Sequence, residues 1–283
     1  MNDQVKMSFL KDFLKKNSVE ICFIQETHID PPDTVDVLGN LFSDFFCYFT
    51  MRLDKTKGVG ILIKRNICAN MSVLRTHYDL ESRFLRVEIK INEVFLNLIN
   101  IYAPNIESEQ INFINNMYDV CANVKNIIMA GDFNAVSSTK DRIGTRVKSL
   151  KKYENEWNFF FKNFNLIESD YERVDMSAEE KMAWTNNMVS SRIYKLYFSK
   201  DLNLKCKYIE IKETSKSDHK AVFINCKFKE IIKKQKNIEK YIPCRLKNII
   251  LEDKIVVENV EEICKKSPSL KDGYGKIWYD FFI

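Results

Sequence analysis

Apolar segments of this chain repeatedly end in polar side chains that can do chemistry. The segment 126–131 leads directly into Asp132 and Asn134, and the apolar residues 94–101 lead into Tyr102. In open α/β sheets, polar groups at the ends of strands face one crevice and assemble a site from distant parts of the sequence. The sequence therefore predicts one site built from Glu26, Tyr102, Asp132, Asn134, Asp218 and His219.

Helical and strand patterns alternate along the chain. Apolar residues such as Phe9 and Phe13 recur at helical spacing, which predicts a helix over residues 7–17. Helices interleaved with apolar strands favour an α/β architecture. Further helices are predicted at 111–122 and 151–164, and strands at 21–25, 58–64, 84–91, 94–101, 126–129, 193–198, 208–211 and 221–228.

Size and composition indicate one large folded domain followed by a segment of different character. With 283 residues and 45% hydrophobic content, the chain can bury a full core. From Lys229 onwards the sequence is rich in lysine and has no deep apolar period, before a separate helical pattern begins at Leu251. We therefore predict a domain over residues 1–228 and a basic linker with a helical tail over residues 229–283. A solvated surface explains these lysines slightly better than a contact with nucleic acid.

Charge and cysteine usage restrict the compartment and the partners. The net charge of +5 permits a polyanionic partner without requiring one. The eight cysteines show no paired spacing, so we expect reduced thiols in an intracellular protein, nuclear or cytoplasmic, without structural zinc. The sequence shows no signal peptide and no run of about 18 apolar residues, which predicts a protein that is neither secreted nor bound in a membrane. A monomer is expected, although the sequence leaves the oligomeric state open.

Four short motifs occur in a fixed order, each beside an apolar strand. The motifs are Gln25-Glu26-Thr27, Tyr102-Ala103-Pro104-Asn105, Gly131-Asp132-Phe133-Asn134 and Ser217-Asp218-His219. In this order they resemble the endonuclease/exonuclease/phosphatase superfamily over roughly residues 7–228. The resemblance implies a four-layered α/β sandwich with two packed mixed sheets flanked by helices, followed here by the helical C-terminal tail.

Three further motifs narrow the resemblance to one branch. The motifs are Asp141-Arg142-Ile143-Gly144, Trp184-Thr185 and Ser190-Ser191-Arg192-Ile193. They are similar to motifs of the apurinic-type endonuclease domain of LINE-type (non-LTR) retrotransposons, which implies DNA as the partner.

The resemblance gives each site residue a role. Hydrolysis of a phosphodiester needs a hard cation, a base for water and donors for the developing charge. Glu26 resembles the principal ligand of Mg²⁺, for which Mn²⁺ can substitute, and Asp218 binds or steers the same ion. Asp132 orients or deprotonates the attacking water, and Asn134 holds that water or a phosphate oxygen. His219 donates to a non-bridging phosphate oxygen.

Plain structural explanations compete with some of these roles. Tyr102 resembles the family tyrosine whose hydroxyl touches the phosphate, and an ordinary buried tyrosine is the alternative. Glu26 is alternatively a solvent-exposed carboxylate at the end of a strand. The resemblance places Arg142, Thr185 and Arg192 along the nucleic acid, where a phosphate or minor-groove contact is the hypothesis. For Arg142, a structural salt bridge is an equally good explanation.

Two departures from the family pattern predict weak or absent cleavage. Family members begin with a strand that carries an asparagine, and nothing before the first predicted helix matches it. Where relatives have Ser-Arg-Ile-Asp, this chain has Tyr194 after Ile193. A tyrosine hydroxyl can accept a hydrogen bond from imidazole but carries no negative charge at neutral pH. His219 should therefore be less readily protonated and less firmly oriented.

Three functions are compatible with the motifs. The first is a Mg²⁺-dependent endonuclease that nicks DNA, which the presence of Glu26, Asp132 and His219 favours. The second is a catalytically inactive retrotransposon-derived remnant or nucleic-acid-binding module, which Tyr194 favours. The third is a phosphatase acting on inositol lipids or other small phosphate esters, which the motif at 141–144 disfavours. The sequence contains neither a glycine-rich phosphate loop nor a Gly-x-Ser-x-Gly elbow, which argues against nucleotide triphosphate hydrolysis and serine-hydrolase chemistry.

Overall fold

The computed structural model describes most of the predicted core domain. The predicted linker and helical tail at 229–283 lie outside the described residues, and so does the predicted site residue Asp218. The described residues are 4–28, 38–50, 57–65, 67, 71–144, 149–169, 177, 179–185, 189–202, 204–212 and 219–228.

Helices and strands alternate as the sequence pattern predicts. The three predicted helices are confirmed as α1 (Gln4–Lys16), α2 (Glu107–Cys121) and α3 (Lys152–Asn163). None of the helices in the described part of the chain is long and apolar enough to cross a membrane. The strands are β1 (Ile21–Gln25), β2 (Phe45–Phe49), β3 (Val59–Lys64), β4 (Met71–Tyr78), β5 (Phe84–Ile91), β6 (Val94–Tyr102), β7 (Ile127–Asp132), β8 (Arg142–Ile143), β9 (Leu166–Glu168), β10 (Trp184–Thr185), β11 (Ser190–Ser191), β12 (Tyr194–Ser199), β13 (Leu204–Lys212) and β14 (Ala221–Phe228).

Two sheets form the centre of the domain. Sheet 1 contains β1, β3 and β2 in this order, and its strands are antiparallel. Sheet 2 has six strands in the order β4, β5, β6, β7, β12 and β9, and it is mixed because β6 and β7 run parallel. Parallel neighbours need a crossover connection, which α2 provides between β6 and β7. The described residues also form a small sheet of β10, β11 and β8 and a hairpin of β13 and β14.

Four layers result from the way the apolar faces are buried. Between the two sheets, Ile61 and Ile63 of β3 pack in one cluster with Val87 of β5 and Leu98 of β6. Side chains on the opposite face of sheet 2 pack against α2 and α3. On the outer face of sheet 1, α1 packs in a cluster that includes Leu62. The order of helix, sheet, sheet and helices confirms the predicted four-layered α/β sandwich.

The hairpin of β13 and β14 packs against the core between the sheets and also contacts α1 and the residue that follows it. The ring of Phe13 lies 5.5 Å from the ring of Phe223, measured between centroids. Lys212 donates from Nζ to Oδ1 of Asn17 at 2.7 Å. Among the described residues, β1 pairs only with β3 and β14 pairs only with β13, so no strand joins sheet 1 to the hairpin. The asparagine-bearing strand of the family pattern has no counterpart in the part of the chain described here.

Candidate active site

Three neighbouring strands of sheet 2 carry a row of polar side chains. Tyr102 of β6 lies directly opposite Asp132 of β7, and Asp132 lies opposite Tyr194 of β12. Directly opposed residues on adjacent strands point to the same face of a sheet. Leu98 and Ile128 share this face and pack between the two sheets, so the row faces sheet 1. The strand register therefore sets the spacing of the three side chains.

Gly131 allows the row to form. Its φ is +141°, and a Cβ atom at this position would lie 2.0 Å from the carbonyl oxygen of Ile101. Only glycine adopts this backbone conformation without strain and permits such a close approach of two strands. The packing of β6 against β7 thus requires glycine at position 131. The next residue, Asp132, then lies opposite Tyr102 in the register.

Glu26 reaches the row from the end of sheet 1. It follows the last residue of β1 with a φ of 52°, in the left-handed region that is uncommon for residues other than glycine. The hydroxyl of Tyr102 donates to Oε1 of Glu26 at 2.7 Å. The other carboxylate oxygen lies 3.9 Å from Nε2 of His28, and the Glu26 side chain is 49% exposed. The two sheets therefore meet at a hydrogen bond between Tyr102 and Glu26.

Asn100 fixes the end of β1 against sheet 2, although the sequence pattern did not single it out. The residue is fully buried. Its Nδ2 donates to the carbonyl oxygen of Ile24 at 2.8 Å and to that of Gly60 at 2.7 Å. Its Oδ1 accepts from Nε2 of Gln25 at 2.6 Å. A buried amide needs such partners, so an asparagine inside an apolar strand was the available signal. By holding Ile24 and Gln25 in place, Asn100 positions Glu26, which follows Gln25 in the chain.

Asp132 is buried at the centre of the row. The pKa of its carboxyl group is raised to about 7: burial is the largest cause and the nearby charge of Glu26 adds to it, while hydrogen bonds from Asn134 and Tyr194 oppose the rise. The backbone N–H of Asn134 donates to Oδ1 of Asp132 at 2.8 Å, and its side-chain Nδ2 donates to the carbonyl oxygen of Ala103 at 2.8 Å. A carboxyl group with a pKa near neutrality is suited to accept a proton at neutral pH.

Tyr194 joins Asp132 to His219. Its hydroxyl forms hydrogen bonds with the carboxylate of Asp132 and with Nδ1 of His219. Burial, followed by the charge of Asp132, raises the pKa of Tyr194 well above its usual value. An ionised carboxylate only accepts hydrogen bonds, so the hydroxyl donates to Asp132 and accepts from Nδ1–H of His219. The tyrosine therefore contacts the histidine without supplying a negative charge.

These side chains line one cleft with a volume of about 390 Å³. His219 is held at its edge by an isolated antiparallel bridge to Trp184. Six residues predicted from the sequence line the cleft, namely Glu26, Tyr102, Asp132, Asn134, Arg142 and His219. The lining residues that were not predicted as site residues are Asn105, Trp184, Val189, Ser191 and Ile193.

Arg142 and Thr185 lie near this cleft in different surroundings. Arg142 lines it, and its guanidinium forms an ion pair with both carboxylate oxygens of Glu154, whose side chain is fully buried. Thr185 is exposed on β10, outside the lining, and its hydroxyl lies 3.0 Å from that of Ser190. The salt bridge considered for Arg142 is therefore present at the wall of the cleft.

Arg192 forms ion pairs inside the protein. It is 9% exposed. Its Nη2 lies 2.8 Å from Oδ1 of Asp141, and its Nη1 forms an ion pair with Glu168. Lys195, also buried, pairs with Oδ2 of the same aspartate at 3.1 Å. These ion pairs give Arg192 a structural role, and its predicted contact with DNA stays a prediction.

The cleft offers oxygen ligands of the kind that Mg²⁺ uses. The carboxylate of Glu26 is half-exposed, and the carboxylate of Asp132 lies close enough for their charges to interact. Within the described ranges, no three His, Cys, Asp or Glu side chains cluster so that they could hold a metal ion by themselves. Mg²⁺ usually keeps several waters and takes one or two carboxylates, so these residues fit Mg²⁺ better than an ion that needs a closed cage.

Comparisons with known proteins agree with this geometry. Residues 2–171 match the model of a family described as Endonuclease/Exonuclease/phosphatase family. Among curated proteins, the chain is similar to the Transposon TX1 uncharacterized 149 kDa protein of Xenopus laevis, with 22% identity over 286 residues. The match covers 97% of this chain and 21% of that protein, so the chain spans about a fifth of the length of this relative.

Solved structures share the fold. The endonuclease domain of TRAS1, a telomere-specific non-LTR retrotransposon, has a TM-score of 0.57 and 15% identity, covering 80% of this chain and 94% of that one. An AP endonuclease from Archaeoglobus fulgidus has a TM-score of 0.62 and 14% identity, covering 79% of this chain and 94% of that one. At these identities, the likeness shows the fold alone.

Proposed function

The chain belongs to the Endonuclease/Exonuclease/phosphatase family, and on this premise we propose that it is a Mg²⁺-dependent phosphodiesterase that nicks DNA, of the retrotransposon endonuclease type. One observation carries the proposal. Glu26, Tyr102, Asp132, Asn134 and His219 line the same cleft where the two sheets meet. The set combines cation ligands, a proton acceptor and hydrogen-bond donors, which phosphodiester hydrolysis requires. DNA is proposed as the substrate class because a retrotransposon endonuclease domain and an AP endonuclease share the fold.

Each side chain has a part in the proposed reaction. Mg²⁺ at Glu26, with Mn²⁺ as a substitute and Asp218 as a second ligand, would supply a Lewis acid against the charge of the phosphate. Asp132 accepts a proton from the attacking water, which its raised pKa favours. Asn134 is oriented by its bond to a backbone carbonyl and holds the water or a phosphate oxygen.

Tyr102 and His219 act on the phosphate in this proposal. The hydroxyl of Tyr102 already donates to Glu26, which places it beside the cation ligand. Nδ1 of His219 forms a hydrogen bond with the hydroxyl of Tyr194. The other ring nitrogen, Nε2, therefore donates a hydrogen bond to a phosphate oxygen in this proposal. Arg142, Thr185 and Arg192 stay candidates for phosphate or minor-groove contacts with the DNA.

A second candidate function is a nucleic-acid-binding module that has lost catalysis. Tyr194 favours it, because a neutral hydroxyl stabilises an imidazolium less than a carboxylate does. In the endonuclease proposal the same feature lowers the rate of cleavage without abolishing it. The two candidates therefore differ in whether any cleavage depends on Asp132.

Nicking of supercoiled plasmid tests the proposal. Wild-type protein with Mg²⁺ is expected to convert supercoiled DNA slowly into relaxed circles, and chelation by EDTA should stop the conversion. Asp132→Asn keeps the shape of the side chain but removes the proton acceptor, so the rate should fall by about 100-fold or more. A melting scan with increasing Mg²⁺ should show stabilisation of the wild type, because a ligand that binds only the native state raises the melting temperature.

The outcomes separate the candidates. DNA binding without cleavage by the wild type would support the binding module and reject the endonuclease. Cleavage that survives in Asp132→Asn would reject the site described above. Absence of DNA binding, measured by fluorescence anisotropy at low salt, would reject both.

A further inference from the structure

Two cysteines face each other across the hairpin of β13 and β14. Cys206 and Cys226 are direct partners in the strand register, and their Sγ atoms lie 3.2 Å apart. Neither cysteine forms a disulfide in this structure. We propose that Cys206 and Cys226 form a redox modification site, at which a low-molecular-weight disulfide such as glutathione disulfide oxidises the two thiols to one cross-strand disulfide.

The geometry of the two strands suits this bond. A disulfide has an S–S length of about 2.05 Å and joins Cα atoms about 4.4 to 6.8 Å apart. Directly opposed residues in antiparallel strands have Cα atoms about 4.5 to 5.5 Å apart, which lies inside that range. The sulfur atoms must approach by about 1.2 Å from their separation of 3.2 Å. The register shifts between Cys206 and Tyr208, so the ladder is already irregular beside the pair and can adjust.

The surroundings of the pair leave it accessible. Both cysteines are half-buried and pack against the edge of the core between the sheets. The hydrogen bond with Cys206, followed by burial, raises the pKa of the Cys226 thiol. A smaller fraction of thiolate is then present at neutral pH, which slows exchange with a disulfide reagent, so we expect oxidation to need a long incubation at high reagent concentration.

Other cysteines in the described part of the chain lack this arrangement. Cys22 of β1 and Cys47 of β2 both lie opposite Leu62 of β3, with that strand between them. Adjacent strands are about 4.8 Å apart, so two strands separated by a third are about 10 Å apart. Cys121 lies at the buried end of α2. Among the cysteines that the structure describes, the register therefore selects Cys206 and Cys226.

The oxidation proceeds in two exchange steps. The thiolate of one cysteine attacks a sulfur of glutathione disulfide, forming a mixed disulfide and releasing one glutathione thiolate. The second cysteine thiolate then attacks the protein sulfur of the mixed disulfide, forming the S–S bond and releasing a second glutathione thiolate. The two protons of the protein thiols end on the two released glutathione molecules. Two electrons pass from the protein to the reagent, which is thereby reduced.

The bond would close a loop that contains His219. Cys206 lies in β13 and Cys226 in β14, and His219 lies in the connection between these strands, two residues before β14 begins at Ala221. Cross-linking restricts the unfolded chain and thus stabilises the folded one. We expect oxidation to raise the melting temperature by about 5 to 10 °C, from the size of this loop and the length of the domain.

Mass spectrometry of the full chain tests the inference. After incubation with glutathione disulfide, the protein should lose about 2 Da, and two of its eight cysteines should resist alkylation after unfolding. Digestion without reductant should yield a peptide that links Cys206 to Cys226. Dithiothreitol should reverse the mass change and the rise in melting temperature.

Single substitutions provide matched controls. Cys206→Ser and Cys226→Ser remove one partner, so each variant should instead retain a glutathione adduct of about 305 Da on the remaining cysteine. Cys121→Ser should form the disulfide as the wild type does. The inference is overturned if the wild type keeps all eight cysteines reactive, or if the linked peptide joins a different pair. It is also overturned if either serine variant still loses about 2 Da.

Discussion

Replacement of Asn100 by leucine measures how strongly the two sheets are held together beneath the site. Leucine has nearly the same size but can make none of the three side-chain hydrogen bonds described for Asn100. A typical hydrogen bond contributes about 1 kcal/mol net to stability, so the variant should lose about 3 kcal/mol from these bonds. Burial of the added apolar atoms offsets part of this loss.

Asn97→Leu on the same strand removes the uncertainty in that offset. Asn97 is 7% exposed and makes one side-chain hydrogen bond, from Nδ2 to the carbonyl oxygen of Lys125 at 2.9 Å. The same atoms are added in both variants, so the apolar offset largely cancels between them. Asn100→Leu should therefore be less stable than Asn97→Leu by about 2 kcal/mol, the value of two hydrogen bonds.

Urea unfolding followed by tryptophan fluorescence gives this difference. The m-value should be the same for both variants, and the midpoint should be lower for Asn100→Leu. Asn100 also bonds the residue before Glu26, so Mg²⁺ should raise the melting temperature of Asn100→Leu less than that of Asn97→Leu. Equal midpoints for the two variants would show that the bonds of Asn100 do not hold the sheets, and the reasoning would fail.

Two further predictions concern the site and the buried ion pairs. Tyr194→Asp should raise the nicking rate by about 10-fold or more, because a carboxylate stabilises protonated His219 better than a hydroxyl does; a rate at or below that of the wild type contradicts this. Burial tends to raise the pKa of Asp141, but the charges of Lys195 and Arg192 outweigh it and hold that pKa below its ordinary value. The ionised carboxylate thus stabilises the fold above about pH 4, and the stabilisation is lost as the pH falls through the lowered pKa. Asp141→Asn should lower the free energy of unfolding at pH 7 by about 3 to 5 kcal/mol. Urea unfolding at pH 7 and pH 3 should show that acid lowers the free energy of unfolding less in the variant than in the wild type. If the two proteins lost equal stability between pH 7 and pH 3, the assignment would be refuted.

Much of the fold was predictable because the central strands are buried on both faces. β6 and β7 give nearly continuous apolar runs, and the polar residues at their ends stand out against them. β4 lies at the edge of sheet 2 and buries only some of its side chains, so its sequence from Met71 to Tyr78 gave no comparable signal. β2, a run of aromatic residues and one cysteine from Phe45 to Phe49, was also not predicted.

The roles of single polar residues were harder to predict. Arg192 follows a short strand near the site, a position that suits a DNA contact, but its partners Asp141 and Glu168 lie 51 and 24 residues away in the sequence. Asn100 is likewise defined by backbone groups 76 and 40 residues away, at Ile24 and Gly60. The sequence shows only an arginine, whether its side chain is exposed to a ligand or held in an ion pair. Only the tertiary arrangement decides between them.

The shared register of Tyr102, Asp132 and Tyr194 determines which changes in chain length the protein can tolerate. Side chains alternate between the two faces of a strand. One residue inserted in β7 before Gly131 would therefore move Gly131 into the position of Asp132 and turn the carboxylate of Asp132 towards the helices. A deletion inside β6 or β12 would have the same effect on their tyrosines. Insertions or deletions in these three strands should therefore break up the row of site residues at once, whereas related sequences are free to differ in the lengths of their surface connections.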